Sequence, residues 1–265
     1  MSVRIAIIVL ACAVMRLACS GSRSRSDIDS FISIDEELAL SKALVEQTAS
    51  QLRILDRPLA NEFFNGLALE IGAVSDWNGL DYSVHIVDEE DVNHFSLPGG
   101  QIYLFRGLID VCETAGEIAA VIAHEIAHVS HRDGIERLAR KYGFAFAAQE
   151  LIGNNPQIPY QIVSQLYSEG TLLDYPRSAE YRADARAIGY LVKANFDPRS
   201  LLELLERFRV MEDERPDLMA LLRTTHPRAM HRFNKARKVL FRTSRPEDLI
   251  RDLKIYNKIK QELKP

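Results

Sequence analysis

Apolar and polar positions alternate along this chain with two different periods. Ser33 and Glu36 form a capping-box pair ahead of Leu38, Leu44, Val45 and Leu52, which predicts a first helix. Phe63, Phe64, Leu67, Ala68 and Ile71 recur at helical spacing in a second segment. The period then drops to two: Tyr82, Val84 and Ile86 alternate with Ser83, His85 and Val87, as in a half-buried strand. Leu97-Pro98-Gly99-Gly100 reads as a turn, and Gln101 to Phe105 as a second strand. From Thr114 onward only helices and loops are expected. The outline is an α+β chain, predominantly helical, with a small antiparallel sheet near its middle.

The N-terminus follows a different logic. Arg4 precedes an apolar run from Ile5 to Met15, too short to span a bilayer, which needs about 20 apolar residues. The run reads as an export signal over residues 1–18. Leu17-Ala18-Cys19-Ser20 then resembles a bacterial lipobox, with Cys19 as the lipid acceptor and Val9-Leu10-Ala11-Cys12 as the earlier alternative. A plain signal or anchor with incidental cysteines is the remaining alternative. Residues 19–32 read as a polar tether. If Cys19 carries lipid, Cys112 remains without a partner and reads as a small buried apolar residue. The chain is ordinary in composition, with 33 Lys and Arg against 37 acids and a net charge of −4, so no nucleic-acid partner is expected.

The chemistry begins at His124-Glu125-Ile126-Ala127-His128. Thr114 and Glu117 cap the predicted helix, Ile118, Val121, Ile122, Ile126 and Val129 give it a buried stripe, and Gly134 sits where a C′ glycine belongs. His124 and His128, four residues apart, project from one face and can both reach a zinc ion at about 2.0–2.1 Å. Glu125 is offset by one residue, so it reaches the open side of such a metal and can take a proton from water there. A catalytic site needs a third ligand. The metzincin position, ten residues after His124, is Gly134 and excludes that solution. His131 on the same straight helix overreaches the metal and reads as a polar face residue or an outer partner. Glu180 and Asp184, also four apart, begin a second helix: Glu180 suits the metal, and Asp184 suits the free N–H of a ligating imidazole. The plainer alternative is a solvated face, with Arg182 and Arg186 as ion-pair partners.

These residues, taken together, resemble peptidase family 48 of the metallopeptidases, the HtpX and CAAX-prenyl-protease type. The likeness rests on four blocks in order: Phe95 to Tyr103, His124 to His128, Tyr175 to Asp184, and Thr225-His226-Pro227 with Arg232. It covers roughly Ser33 to Leu240. Asp133, where a His is frequent, and Pro176, where Ser is common, depart from the pattern; neither is expected to touch a ligand.

The resemblance implies a zincin-like (gluzincin) metalloprotease domain over residues 33–243, with the sheet beside the active-site helix. It implies one zinc per chain on His124, His128 and Glu180, Glu125 as catalytic base, and Asp184 behind a ligand. It implies for His226 an oxyanion or site-occluding role; the alternative is that Thr225 caps a helix with Pro227 in its first turn and His226 is incidental. It implies that the strand at Gly99, Gly100, Gln101 and Ile102 pairs with an extended substrate, a hairpin turn being the alternative. His85, His94 and His231 are expected to be ordinary histidines, and residues 244–265 a charged helix or tail. Phe144 to Leu173 reads as a lid.

The expected substrates are unfolded or misfolded proteins. The expected setting is the periplasm, on an outer-membrane lipid anchor, since Ser20 is not the inner-membrane Asp signal. The rivals are a zinc-bound latent protein with a chaperone-like binding role, and a non-proteolytic scaffold.

Overall fold

The computed structural model describes residues 32–142, 175–226 and 229–264. The expected signal peptide, lipid acceptors, lid, Pro227 and the tether up to residue 31 lie outside these residues, while Ile32, placed in the tether, is buried. Among the described residues no helix is long and apolar enough to cross a membrane.

Helix α1 (Ile34–Gln51) opens with the full capping box: Glu36 N donates to Ser33 Oγ at 3.2 Å, and Ser33 N to Glu36 Oε2 at 2.7 Å. After the short β1 (Ile54–Leu55), Pro58 starts α2 (Pro58–Gly72), which buries Phe64, Leu67, Ala68 and Ile71. The sheet continues with β2 (Ser83–Val87), β3 (His94–Leu97) and β4 (Gln101–Phe105). Its order is β1-β2-β4-β3.

The sheet is mixed, which corrects the antiparallel expectation. β1–β2 and β3–β4 are antiparallel, but β2 and β4 run parallel. The chain leaves β2, crosses to the far edge to make β3, and returns through the Pro98–Gly100 turn into the middle. Gly99 and Gly100 make that turn at φ +78° and +91°; a Cβ on Gly99 would lie 2.5 Å from Ser41 Oγ. β4 is buried on both faces, Ile102 and Leu104 on one and Tyr103 and Phe105 under α1 on the other.

After α3 (Arg106–Val111) comes α4 (Ala115–Ser130), the centre of the molecule. The sequence suggests one apolar stripe, yet all of its residues are buried, because helices close on it from several sides. Its alanines, Ala119, Ala120, Ala123 and Ala127, face a core that includes Ala183 and Ala187 of α6 (Arg177–Lys193), small residues that suit close helix approach.

The expected C′ glycine is also corrected. Arg132, at φ +55°, takes the left-handed position, and Gly134 lies in the first turn of α5 (Asp133–Tyr142). That conformation costs a non-glycine residue about 1–2 kcal/mol. It is offset here because the buried Arg132 side chain donates to Glu37 Oε2 at 2.5 Å and to the Ile32 carbonyl at 2.7 Å.

The helices α7 (Arg199–Glu214), α8 (Ala220–Thr225) and α9 (Ala229–Arg242) complete the bundle. The C-terminal segment joins the same core: α10 (Lys254–Glu262) buries Tyr256 and Ile259. Just before it, Asp252 Oδ1 accepts the Ala115 amide at 3.0 Å, capping the start of α4.

Candidate metal centre and active site

Four donor groups converge between α4, α6 and the end of α8. His124, His128, Glu180 and His226 are buried, and one ligand atom from each lies within 4.8 Å of all the others. His124 Nε2 is 3.0 Å from His128 Nε2. Glu180 Oε1 lies 3.2 Å from His128 Nε2, and Oε2 lies 3.7 Å from His124 Nε2. His226 Nδ1 contacts both Glu180 oxygens at 3.1 and 3.2 Å.

The outward nitrogens decide what the inward ones can do. His124 Nδ1 is 3.0 Å from Asp184 Oδ1, and His128 Nδ1 is 2.8 Å from Asp133 Oδ2. A carboxylate only accepts, so the Nδ1 atoms that face Asp184 and Asp133 carry protons; with both rings neutral the facing Nε2 atoms present lone pairs, whereas in the metal-free chain the charged His128 keeps a proton on its Nε2 as well. Two lone pairs at that spacing repel unless a proton or a metal ion lies between them. The set of imidazole nitrogens and a carboxylate oxygen therefore fits a zinc-type metal ion.

Charge in the surroundings points the same way. Burial penalises a charged His128, but its hydrogen bonds to Asp133 and Glu180 overcome this and hold its pKa up at about 10. Burial opposes ionisation of Glu180 too, yet His226 and Arg232 keep it well below the usual carboxylate range. Asp184 is likewise disfavoured by burial and held down at about 2, chiefly by Arg232. That guanidinium forks onto Asp184, with Nε to Oδ2 at 2.9 Å and Nη2 to Oδ1 at 2.7 Å, while Nη1 lies 3.2 Å from Glu180. Glu180 and Asp184 do not form a solvated face: Arg182 pairs instead with Asp133, and Arg186 with Asp76.

Asp133 corrects the expectation that its departure from the family pattern touches no ligand. It is five residues beyond His128, and the left-handed turn at Arg132 swings it back beneath the imidazole. Replacing Asp133 by Ala removes the acceptor that fixes the His128 tautomer. Metal affinity is expected to fall by about 10- to 100-fold, read by competition with a chromogenic chelator. Tyr175 covers the other side of His128, its ring stacked at 4.1 Å.

Glu125 is not one of the four cage donors but lies beside them. His94 Nδ1 lies 2.6 Å from its Oε1 and Ser96 Oγ 2.6 Å from its Oε2. Burial and His226 push the His94 ring down to about 3, so it is neutral and donates. Burial also works against the Glu125 carboxylate, but His94 holds its pKa below the ordinary range. His226 Nε2 is 3.6 Å from Glu125 Oε1 and has no hydrogen-bond partner among the described residues.

The substrate-strand expectation is corrected as well. Gln101 and Ile102 belong to β4, whose backbone is paired on both sides, so it has no free edge. Among the described residues the edge strands are β1 and β3, and β3 packs beside α4. His94, expected to be an ordinary histidine, instead holds Glu125, and the sequence offers no role for Ser96, Asp133 or Tyr175. Only the two-residue spacing of His94 and Ser96 signals a shared face.

The family model described as Peptidase family M48 matches residues 60–240. Mitochondrial metalloendopeptidase OMA1 of Schizosaccharomyces pombe is 31% identical over 62% of this chain and 48% of its own length. A putative beta-barrel assembly-enhancing protease of Vibrio cholerae is 27% identical over 78% of this chain and 45% of its own length. The beta-barrel assembly-enhancing protease of Escherichia coli is 25% identical over 78% and 44%. The chain thus spans less than half the length of these curated relatives. With a matched region that carries His124, Glu125, His128, Glu180 and His226 alike, the chain belongs to peptidase family M48.

Proposed function

We propose that this chain is a zinc-dependent endopeptidase acting on unfolded or misfolded proteins of the cell envelope, in protein quality control. The observation that carries the reading is the pair of Nε2 atoms 3.0 Å apart, closed by Glu180, with Glu125 held separately beside them. His124, His128 and Glu180 hold the metal. Zinc there supplies a Lewis acid that acidifies water and polarises a scissile carbonyl. Glu125 takes the proton of the attacking water and delivers it to the leaving amine. Asp133 and Asp184 keep the two imidazoles in the ligating tautomer. An extended substrate pairs with the edge of β3.

The envelope setting is supported by the export-type pattern of the first residues and by the printed names of the bacterial relatives. A lipid anchor on Cys19, or on Cys12, at the outer membrane belongs to the same proposal. The test is cleavage of casein by the purified chain beside its metal content. Zinc at about one per chain with cleavage supports the reading; no bound zinc overturns it.

One observation favours a second state. His226 brings a fourth donor to the cage, and a tetrahedral zinc site with four protein ligands is closed. We infer that His226 occludes the resting site, which makes the chain latent, with a chaperone-like binding role while closed. Replacing His226 by Ala is then expected to raise casein cleavage by about the ratio of closed to open sites. A fall in rate would instead assign His226 to the oxyanion.

A further inference from the structure

Both oxygens of Glu125 are gripped by one strand. His94 and Ser96 are two residues apart on β3, so their side chains share the face toward α4. Phe95 and Leu97 point the other way, into the core under α1. All three members of the grip are buried, at 2%, 3% and 0% exposure for His94, Ser96 and Glu125. The two bonds are equal at 2.6 Å and end on different oxygens. A carboxylate accepts only, so the His94 proton sits on Nδ1 and the Ser96 hydroxyl points at Oε2.

The three residues His94, Glu125 and His226 also bring ligand atoms within 4.8 Å of one another. The rings of His94 and His226, however, are stacked at 4.3 Å and inclined by only 26°. Their in-plane lone pairs run side by side and do not converge on one ion. The 2.6 Å spacing is that of a proton-bearing hydrogen bond. The cluster is a hydrogen-bonded grip and not a second metal site.

We propose that His94 and Ser96 are positioning residues that hold the Glu125 carboxylate in one orientation beside the metal cage. The inference rests on Glu125 being the proton acceptor of the proposed reaction. Neither residue joins the four-donor cage, so both act through Glu125. A single donor would leave the carboxylate free to turn about its last torsion; two donors on two oxygens fix its plane. Each oxygen keeps a second lone pair, so Oε1 or Oε2 can still accept the water proton. The stack of His94 on His226 joins the grip to the residue that closes the cage. Because β3 is also a sheet edge, a peptide paired with it is registered to the strand that holds the base.

The test compares His94→Ala and Ser96→Ala with His94→Asn and Ser96→Thr in steady-state peptide cleavage, with metal content and Tm measured on each. Asn retains a donor near the Nδ1 position, and Thr retains the hydroxyl. The Ala variants are expected to lose about 10- to 100-fold in kcat with KM changed by less than about threefold. The Asn and Thr variants regain most of that loss. Histidine 15N spectra of the full chain, metal-free and zinc-loaded, supply a readout independent of turnover: His94 is neutral with its proton on Nδ1, and Glu125→Gln shifts that resonance. A proton on Nε2 of His94 in the wild-type spectra overturns the grip even if the Ala variants fail to fold. Unchanged kcat in both Ala variants, with Glu125→Gln inactive, also overturns it and leaves the proposed function standing. Full activity of Glu125→Gln sinks the function itself.

Discussion

Glu125→Gln is expected to lower peptide cleavage by about 10²- to 10⁴-fold, the usual worth of a positioned acid–base group, while leaving the metal in place. The substitution is isosteric, and its surroundings can accommodate it. His94 still donates to Oε1, and the Ser96 hydroxyl turns to accept from the new amide nitrogen, so no buried polar atom is stranded. The cage does not depend on Glu125, because its donors come from His124, His128, Glu180 and His226. Casein cleavage and metal analysis on the same preparation check both halves. Activity close to wild type would remove Glu125 from the chemistry. Loss of metal would move it into the cage.

How far this site could be read from sequence depended on which contacts are local. His124 and His128 are one helical turn apart, and so are Glu180 and Asp184, so the helical period alone places each pair on one face. Asp133 was not legible because its approach to His128 depends on a left-handed arginine, and that arginine is held by Glu37, almost a hundred residues earlier. β3 escaped notice because His94 and Ser96 look like the outward residues of a half-buried strand, yet they face α4 and Glu125. With β3 missing, Gln101 to Phe105 took its place beside a free edge, and the parallel pairing with β2 could not be foreseen. The tail's place in the core is hidden for a similar reason. Its charge hides Tyr256 and Ile259, which complete the core only once the rest has folded. In each case a residue or strand is buried by a partner distant in sequence, and no local pattern records that.

The protonation of His128 leads to the second large effect. Without metal its pKa is held near 10, above the ordinary value of 6.5, first against burial and then by Asp133 and Glu180. At neutral pH the metal-free chain therefore carries a proton on His128 that a metal ion must displace. Zinc affinity is expected to rise by about tenfold per pH unit through the neutral range and level off as pH nears 10. Titration calorimetry at pH 7 in buffers of different ionisation enthalpy reads the same event as one proton released per zinc; no release would show His128 already neutral.

The sign for stability is opposite. A group whose folded pKa is raised contributes stability that is complete below its unfolded value and is lost as pH rises toward the folded one. The metal-free chain should thus weaken between pH 6.5 and about 10. The zinc-loaded chain, in which the metal supplies the positive charge that Glu180 and Asp133 face, should not weaken in that window. Urea midpoints measured with and without zinc across the window separate the two. Parallel decline in both forms would mean that His128 is not where the cation sits.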